Sequence, residues 1–277
     1  MSGVTLLVGD CIEQMRTLPD ASVNCCVTSP PYYWQRDYGV EGQYGHEETP
    51  EAFVQRLVDV FREVRRVLDD RGTVWLNLGD SYYSGNGQPK GHDPRSPSRD
   101  WMRKKLRPLD APGLGYPKKS LLGIPWRVAL ALQSDGWTLR QEIIWCRPSA
   151  FLEPGVKDRP YRQHETIFLL SKSRRYGFNR DALPEESVWH IGHERAARGH
   201  SAPFPAALVE RCVLAGCPSG GTVLDPFGGS GTTAGVAIKH GRNAILCELN
   251  PEYAALVSER VRSIAGDQRN LFPMAAE

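Results

Sequence analysis

Residues 222–248 constrain the fold of this chain more than any other segment. Two short β-type runs, at 222–224 and 243–247, flank a helical stretch at 231–240, and a glycine-rich turn joins the first run to the helix. A strand, a tight turn, a helix and a second strand make a βαβ unit, whose two strands run parallel in one sheet. The sequence therefore predicts an α/β fold with an open, mainly parallel sheet.

The turn of this βαβ unit has residues that suit a nucleotide-like ligand. Glu248 follows the second run about 20 residues after Gly228, the spacing at which an acidic residue binds ribose hydroxyls in such units. The turn is not G-x-G-x-x-G and no G-x-x-x-x-G-K-[ST] occurs, which disfavours a nicotinamide cofactor and ATP. Asp225 suits a cationic ligand better than a pyrophosphate; a plain turn without a ligand is the alternative. The candidate ligand residues are Asp225, Pro226, Phe227, Gly228, Gly229, Ser230, Gly231, Thr232, Thr233, Glu248 and Leu249.

A second motif, Thr28-Ser29-Pro30-Pro31-Tyr32, follows a β-type run at 23–27. It therefore leaves the carboxyl end of a predicted strand, which is where open α/β sheets bind ligands. Ser29 Oγ and the Pro30 carbonyl are hydrogen-bond acceptors, and the two prolines hold the backbone extended and bring no N–H to compete. Tyr32 offers a face on which a base can stack, an interaction of roughly 1–3 kcal/mol per base.

Two acceptors beside an aromatic face suit chemistry at an exocyclic amino group. The nitrogen of such a group shares its lone pair with the ring, so it becomes nucleophilic when both hydrogens are held out of the ring plane. A base inside a duplex cannot be reached and must be flipped out. The two motifs together favour methyl transfer onto the amino group of a base, with an ordinary turn as the alternative for the serine motif.

The motifs and their order resemble the DNA amino-methyltransferases of the β arrangement, in which the catalytic motif precedes the S-adenosyl-L-methionine motif. The resemblance rests on Gly9-Asp10, residues 29–32, 72–80, 139–148, 200–214 and 225–233, and Glu248. It implies a Rossmann-like S-adenosylmethionine-dependent methyltransferase fold with circularly permuted motif order. It also implies that Asp10 contacts the cofactor adenine, that Glu248 contacts the ribose, and that the segment opened by Phe204-Pro205 packs beside the methionine moiety. Cys11, Thr28, His200 and Phe204 join the cofactor-binding candidates on the same ground.

The resemblance leaves the target base open between cytosine N4 and adenine N6. Serine at position 29 is typical of cytosine-N4 enzymes, whereas many adenine-N6 enzymes have aspartate there. Cytosine C5 is disfavoured because that reaction needs a thiolate, usually in a Pro-Cys pair, and the chain has no such pair. A non-catalytic DNA-binding regulator of the same fold and an RNA amino-methyltransferase are the alternative functions.

The resemblance divides the chain into a catalytic half at 1–148, a target-recognition region at 149–199 and a cofactor-binding half at 200–277. The net charge of +2 conceals a basic stretch at 84–120, in which nine lysines and arginines stand against three acidic residues. This stretch predicts a loop that DNA orders, or a solvated surface loop. Arg36 follows the serine motif closely and contacts DNA or pairs with Asp37 or Glu41. The candidate DNA-binding residues are Trp34, Gln35, Arg36, Lys90, Arg103, Lys104, Lys105, Lys118, Lys119, Arg174, Arg175 and Arg195.

The rest of the sequence predicts two further helices, the state of the cysteines and histidines, the location of the protein and its partners. Thr49 and Pro50 begin an amphipathic helix with an apolar stripe, and a second helix covers 124–135 and ends at Gly136. Seven cysteines without C-x-x-C predict reduced thiols of a cytoplasmic protein, and no apolar run predicts a signal peptide or membrane span. His190 and His193 are expected to be polar loop residues rather than metal ligands. The expected partners are double-stranded DNA, a second copy of the chain and, where one exists, a cognate restriction endonuclease.

Overall fold

The computed structural model describes residues 3–89, 106–147, 156–184, 186–192 and 205–266. They form one eight-stranded sheet with helices on both faces, which confirms the predicted α/β fold. The strands are β1 (Val4–Val8), β2 (Val23–Thr28), β3 (Leu68–Leu78), β4 (Thr138–Cys146), β5 (His164–Ser171), β6 (Val188–His190), β7 (Thr222–Asp225) and β8 (Asn243–Glu248). The helices are α1 (Cys11–Arg16), α2 (Pro50–Val67), α3 (Ile124–Ser134), α4 (Ala206–Gly216), α5 (Thr232–Lys239), α6 (Pro251–Ala254) and α7 (Val257–Ala265).

Helix α2 is capped by its own sequence, whereas α3 is capped by a residue that follows β3. Thr49 Oγ1 accepts a hydrogen bond from the Ala52 N–H at 3.1 Å and Pro50 takes the first position of α2, as predicted. Helix α3 begins after Gly123, which has no side chain to cap it, and Asp80 Oδ1 accepts from the Ile124 N–H at 3.0 Å instead. A residue at the end of β3 thereby fixes where α3 begins.

The strand order is β1-β8-β7-β2-β3-β5-β4-β6. The first five strands run parallel, whereas β5 runs antiparallel to its neighbours β3 and β4. Strand β2 pairs directly with β7, with Cys25 opposite Val223 and Cys26 opposite Leu224. The carboxyl ends of an early strand and a late strand therefore lie side by side, as the two sequence motifs require.

The sheet is buried on both faces. Successive strand residues point to opposite faces, so the neighbours Cys25 and Cys26 belong to different apolar clusters. One cluster lies under α1, α2 and α3, and the other under α4, α5 and α7. The apolar stripe predicted for this helix is completely buried. Phe53, Leu57, Val60, Phe61 and Val64 lie on α2, whereas Leu68 begins β3. All seven cysteines are free thiols, and six of them are buried.

The flanks of the basic stretch are anchored to the body of the protein. Residues 84–89 and 106–120 contain no helix or strand, as predicted. Arg107 is nevertheless buried, with its Nε 2.7 Å from Asp110 Oδ2 and its Nη1 3.0 Å from the Trp34 carbonyl. Arg107 therefore holds the loop in place and does not present its charge to a phosphate. Lys90, Arg103, Lys104 and Lys105 lie outside the described residues.

The predicted division into three regions stays a prediction, with one correction. Strands β5 and β6 both fall within the 149–199 region assigned to target recognition, yet β5 pairs with β3 and β4, and β6 pairs with β4, in the central sheet. Both strands therefore belong to the scaffold. No helix in the described part of the chain is long and apolar enough to cross a bilayer.

Candidate active site

The two sequence motifs meet through one buried hydrogen bond. Thr28, at the end of β2, donates from Oγ1 to Asp225 Oδ1 at 2.7 Å, and Asp225 ends the adjacent strand β7. Thr233 Oγ1 donates to Asp225 Oδ2 at 2.7 Å, and the Phe227 N–H donates to Oδ1 at 3.1 Å. The serine corner and the glycine corner consequently share one anchoring point at one edge of the sheet.

Asp225 is buried and hydrogen-bonded within the protein. The residue is 1% exposed, and its carboxylate accepts hydrogen bonds from three groups of the chain. Burial raises the pKa of this carboxyl to about 6, and the donated hydrogen bonds oppose the shift. In this arrangement Asp225 organises the glycine loop, and a direct contact with a cationic ligand stays a prediction.

The glycine loop and Glu248 are in contact. The Gly229 N–H donates to Glu248 Oε2 at 2.8 Å, and the Asn250 N–H donates to Oε1 at 2.8 Å. Gly231 adopts φ +93°, and a side chain there would lie 2.9 Å from Val257, so this turn requires glycine. The spacing between Gly228 and Glu248 in the sequence thus corresponds to a real contact between turn and strand end.

Asp10 lies beside Glu248, because β1 pairs with β8 and Val8 stands opposite Glu248. Asp10 Oδ1 caps α1 by accepting from the Ile12 N–H at 2.9 Å, and Oδ2 accepts from the Tyr44 hydroxyl at 3.1 Å. Cys11 is buried, and the Phe227 ring meets the Tyr44 ring edge to face at 5.2 Å. Two half-buried carboxylates and an aromatic ring therefore share one corner.

These two hydrogen-bond acceptors and the aromatic ring fit the nucleoside part of S-adenosyl-L-methionine. Carboxylate oxygens accept from ribose hydroxyls and from an adenine amino group, and Phe227 supplies an aromatic surface. The same two carboxylates would repel a phosphate. The predicted contacts Pro226, Gly228, Ser230 and Thr232 lie in or directly after the loop, and Leu249 directly follows Glu248. His200 and Phe204 lie outside the described residues.

The serine corner contains a polar cluster around Ser29. Tyr32 donates from its hydroxyl to Glu165 Oε2 at 2.5 Å, and Ser29 Oγ lies 3.3 Å from the same hydroxyl. Asn77 Nδ2 lies 2.8 Å from the Tyr32 hydroxyl, 3.0 Å from Glu165 Oε2 and 3.3 Å from Ser29 Oγ. Pro30 is buried and Pro31 half-buried, so the corner is held firmly.

The Tyr32 ring is seated on Gly79, two residues after Asn77. A Cβ at position 79 would lie 2.4 Å from the ring carbon Cε2, closer than any van der Waals contact. Glycine at this position therefore sets how deeply the ring can sit. Tyr32 remains half-buried, and its role as a stacking face for a base stays a prediction.

Sequence reasoning missed three residues of this corner, namely Asn77, Glu165 and Arg147. Arg147 follows β4, and its Nη1 lies 2.8 Å from Glu165 Oε1. Strand β5 begins at the edge where β3 and β4 end, because it runs antiparallel to both. One signal was present in the sequence, since Asn77 interrupts the apolar run at 74–78 near the end of a predicted strand.

Three of the predicted DNA contacts, Trp34, Gln35 and Arg36, make contacts inside the protein. The Trp34 ring stacks on His46 at 4.4 Å and donates from Nε1 to the Glu47 carbonyl. Gln35 Nε2 donates to the Asp80 carbonyl at 2.9 Å. Arg36 forms a side-chain hydrogen bond with Tyr38. These contacts shape the loop after the serine motif, and a role for the three residues in filling the gap left by a flipped base stays a prediction.

The remaining predicted DNA contacts that lie in the described part of the chain are divided between the two edges of the sheet. Lys118 and Lys119 are exposed, and Lys119 pairs with Asp158. Arg174 and Arg175 are exposed beyond the far end of β5, beside Ser173, whose hydroxyl donates to the Asp70 carbonyl. An eight-residue strand is roughly 25 Å long, so these two arginines lie at the edge opposite Ser29. A role for them at the DNA bound to this site is therefore not expected. Arg195 lies outside the described residues.

Neither the depression at the other edge of the sheet nor the histidines offers a better candidate for the ligand site among the described residues. An open depression of about 540 Å³ lies at the opposite edge of the sheet, lined by Asn24, Asp69, Arg71, Phe178 and Arg242 among others. Ligands of open α/β sheets bind at the carboxyl ends of the strands, where Ser29 and Glu248 lie. His190 ends β6, His193 lies outside the described residues, and no group of three metal-ligating side chains is found within them.

Comparison with known proteins gives consistent matches. Residues 23–259 match a family model described as DNA methylase. The chain is 43% identical over 286 residues to the Type II methyltransferase M.Cfr9I of Citrobacter freundii, covering 100% of this chain and 92% of that protein. It is 44% identical over 268 residues to M.SmaI of Serratia marcescens, covering 92% and 90%.

Solved structures show the same fold. The Thermus thermophilus protein TTHA0409, complexed with S-adenosyl-L-methionine, matches with a TM-score of 0.65 and 28% identity, covering 96% of this chain and 97% of that chain. The PvuII DNA methyltransferase, described as cytosine-N4-specific, matches with a TM-score of 0.72 and 21% identity, covering 98% and 89%.

A first prediction concerns the seat of the Tyr32 ring. Gly79→Ala forces the ring outward, so we expect the free energy of unfolding to fall by about 1–3 kcal/mol, as overpacking does. Urea unfolding measures this change. Gly3→Ala is the control, because nothing lies within 4 Å of a Cβ at that position. Equal stability of the two variants would contradict the observed packing.

A second prediction concerns Asp225 and pH. Its pKa is raised from 3.8 to about 6 in the folded state, so the folded protein keeps this proton at pH values where the unfolded chain has lost it. The contribution of Asp225 to stability is therefore greatest below about pH 4 and is lost as the pH rises to about 6.

Asp225→Asn removes this titration. We expect its stability relative to wild type to rise by on the order of 2–3 kcal/mol between pH 4 and pH 6.5. Urea unfolding of both proteins across this range measures the difference. A difference independent of pH would show that the carboxyl titrates normally.

Proposed function

The chain belongs to the DNA methylase family of N6 and N4 amino-methyltransferases, and on this basis we propose that it methylates N4 of a flipped cytosine in duplex DNA. Family membership makes it an S-adenosylmethionine-dependent DNA methyltransferase. The target atom, the flipping of the base and the role of each residue are the proposed part.

One observation carries the proposal: the hydrogen bond of 2.7 Å between Thr28 and Asp225. Thr28 directly precedes Ser29, and Asp225 directly precedes the glycine loop. An acceptor for an amino group and a loop suited to a nucleoside are therefore held at neighbouring strand ends. Direct transfer between two ligands requires this proximity, because the reacting atoms must be held about 3–3.5 Å apart.

The residues of the serine corner act on the target base. Ser29 Oγ and the Pro30 carbonyl each accept one amino hydrogen, which turns the nitrogen lone pair out of the ring plane. Tyr32 holds the base by stacking. No covalent enzyme intermediate and no strong general base are needed, because the amino proton becomes acidic once the nitrogen is methylated.

The residues of the glycine corner hold the cofactor. Glu248 accepts from the ribose hydroxyls and Asp10 from the adenine amino group, while residues 226–233 shape the surface beneath. When bound, S-adenosylmethionine supplies an electrophilic methyl group. The protein itself orients the two ligands and excludes water from between them.

Ser29 favours cytosine N4 as the target. Serine at this position is the usual signature of cytosine-N4 enzymes in the family that this chain resembles. The PvuII enzyme is cytosine-N4-specific by its description, but at 21% identity its similarity supports the fold alone. Adenine N6 is the competing outcome.

The proposal also covers the substrate, the partners and the location of the protein. The substrate is duplex DNA, and the part of the 149–199 region outside β5 and β6 is the candidate for target recognition. A homodimer and a cognate restriction endonuclease agree with the family resemblance, and a cytoplasmic location agrees with seven free thiols. RNA as the substrate is tested by competition between duplex DNA and RNA in the same methylation assay.

The experiment uses isotope-labelled methyl donor and duplex DNA of varied sequence, followed by mass spectrometry of the nucleosides. We expect N4-methylcytosine. N6-methyladenine would overturn the choice of base, and no incorporation into any duplex would favour a non-catalytic regulator.

Ser29→Ala tests the role of Ser29. We expect single-turnover methylation to slow by about 10²–10³-fold, as when one acceptor or donor for transition-state charge is removed, with unchanged affinity for S-adenosylmethionine. Ser22→Ala is a matched control, because Ser22 precedes the other end of β2 and donates to the Pro19 carbonyl. A wild-type rate for Ser29→Ala would remove Ser29 from the mechanism.

A further inference from the structure

A continuous chain of hydrogen bonds leads from Ser29 into the protein. Ser29 Oγ lies 3.3 Å from the Tyr32 hydroxyl, which lies 2.5 Å from Glu165 Oε2. Glu165 Oε1 in turn lies 2.8 Å from Arg147 Nη1. Asn77 braces the first three members of the chain through its Nδ2.

We propose that Glu165 is a positioning residue. It fixes the direction in which hydrogens are donated along this series of hydrogen bonds, from Ser29 to Tyr32 and from Tyr32 to Glu165. Glu165 takes the Tyr32 hydrogen, the Tyr32 oxygen takes the Ser29 hydrogen, and Ser29 is left with a lone pair for the amino group of the target base. This inference rests on the proposed role of Ser29 as an acceptor.

Arg147 fixes the inner end of the chain. The side chains of Arg147 and Glu165 are 19% and 13% exposed, so their pairing is partly shielded from solvent. Arginine can only donate, and a carboxylate can only accept. Hydrogen bonds between charged partners are also the strong ones. Glu165 is therefore held as an acceptor toward Tyr32.

Asn77 does not take the Tyr32 hydrogen. Its Nδ2 lies 2.8 Å from the Tyr32 oxygen and, being an amide nitrogen, can only donate to it. Glu165 Oε2 can only accept and lies 2.5 Å away, whereas Ser29 Oγ lies 3.3 Å away and can also donate, so the Tyr32 hydrogen goes to Glu165. Burial and the neighbouring Glu165 raise the pKa of Tyr32 well above its ordinary value, so the phenol keeps the proton that it donates.

The direction matters at Ser29 because a serine hydroxyl can serve both as donor and as acceptor. Its hydrogen rotates freely unless a partner holds it. A target amino group offers two N–H donors, so a serine that pointed its own hydrogen at the base would oppose binding. With its hydrogen directed to Tyr32, Ser29 Oγ keeps acceptor capacity toward the base.

Two substitutions interrupt this series of hydrogen bonds while Ser29 stays in place. Tyr32→Phe keeps the ring on Gly79 but removes the hydroxyl. In Glu165→Gln the charged Arg147 favours the amide oxygen on its side, so the amide NH₂ faces Tyr32 and donates to it. Among the groups that contact the Tyr32 hydroxyl in this structure, only Ser29 Oγ can then accept its hydrogen, and the direction of hydrogen-bond donation is reversed.

We expect each variant to slow single-turnover methylation by about 10- to 100-fold, the cost of misplacing a reacting group. Because both act through the same hydroxyl, the Tyr32→Phe/Glu165→Gln double variant should be no slower than the slower single variant. Affinity for S-adenosylmethionine should stay at the wild-type value in all three, which also shows that they fold.

Two residues that take no part in this series of hydrogen bonds provide matched controls. Tyr33→Phe removes the hydroxyl of the adjacent tyrosine, which donates to the Glu48 carbonyl. Glu210→Gln neutralises a glutamate on α4 that pairs with Lys239 and His240. Both controls should methylate at the wild-type rate.

The outcomes separate this inference from the proposed function. If Ser29→Ala is slow while Tyr32→Phe or Glu165→Gln matches wild type, the positioning role of Glu165 is overturned and Ser29 keeps its role. Multiplicative losses in the double variant would also overturn it. If Glu165→Gln does not fold, the rate of Tyr32→Phe alone decides, and a wild-type rate refutes the inference. A wild-type rate for Ser29→Ala would refute the proposed function itself.

Discussion

The contact between Thr28 and Asp225 is the constraint on which the rest of the site depends. The two residues are 197 positions apart in the chain, and their side chains are fully buried where two parallel strands end. Burying a carboxyl costs free energy, and here three donors offset that cost. The geometry of the glycine loop and the position of Ser29 are both set from this point.

The reversed direction of β5 is the second decisive feature of the sheet. It brings Glu165 to the edge where Ser29, Asn77 and Arg147 lie, and it takes Arg174 and Arg175 to the other edge. One antiparallel strand therefore adds an acid to the active site and removes two arginines from its surroundings.

The polar residues of the site lie at the ends of otherwise apolar strands. Asn77 is 2% exposed, and Glu165 is the second residue of β5, in which all the residues that follow it are buried. In such surroundings a hydrogen bond is stronger, and several hydrogen bonds join Ser29, Tyr32, Asn77 and Glu165. The positioning role proposed for Glu165 rests on these bonds.

The sequence by itself determined the α/β class, the βαβ unit with its acid at Glu248, the start of α2 at Thr49 and the two motifs of the site. These features follow from local rules, namely hydrophobic periodicity, helix capping and the backbone limits of proline and glycine. Only the tertiary structure decided that Asp225 is an internal anchor, that Arg107 is buried, and that Asn77, Glu165 and Arg147 surround Tyr32. Those facts depend on which strands are neighbours and in which direction they run, and strand pairing joins residues whose separation along the chain has no local signature.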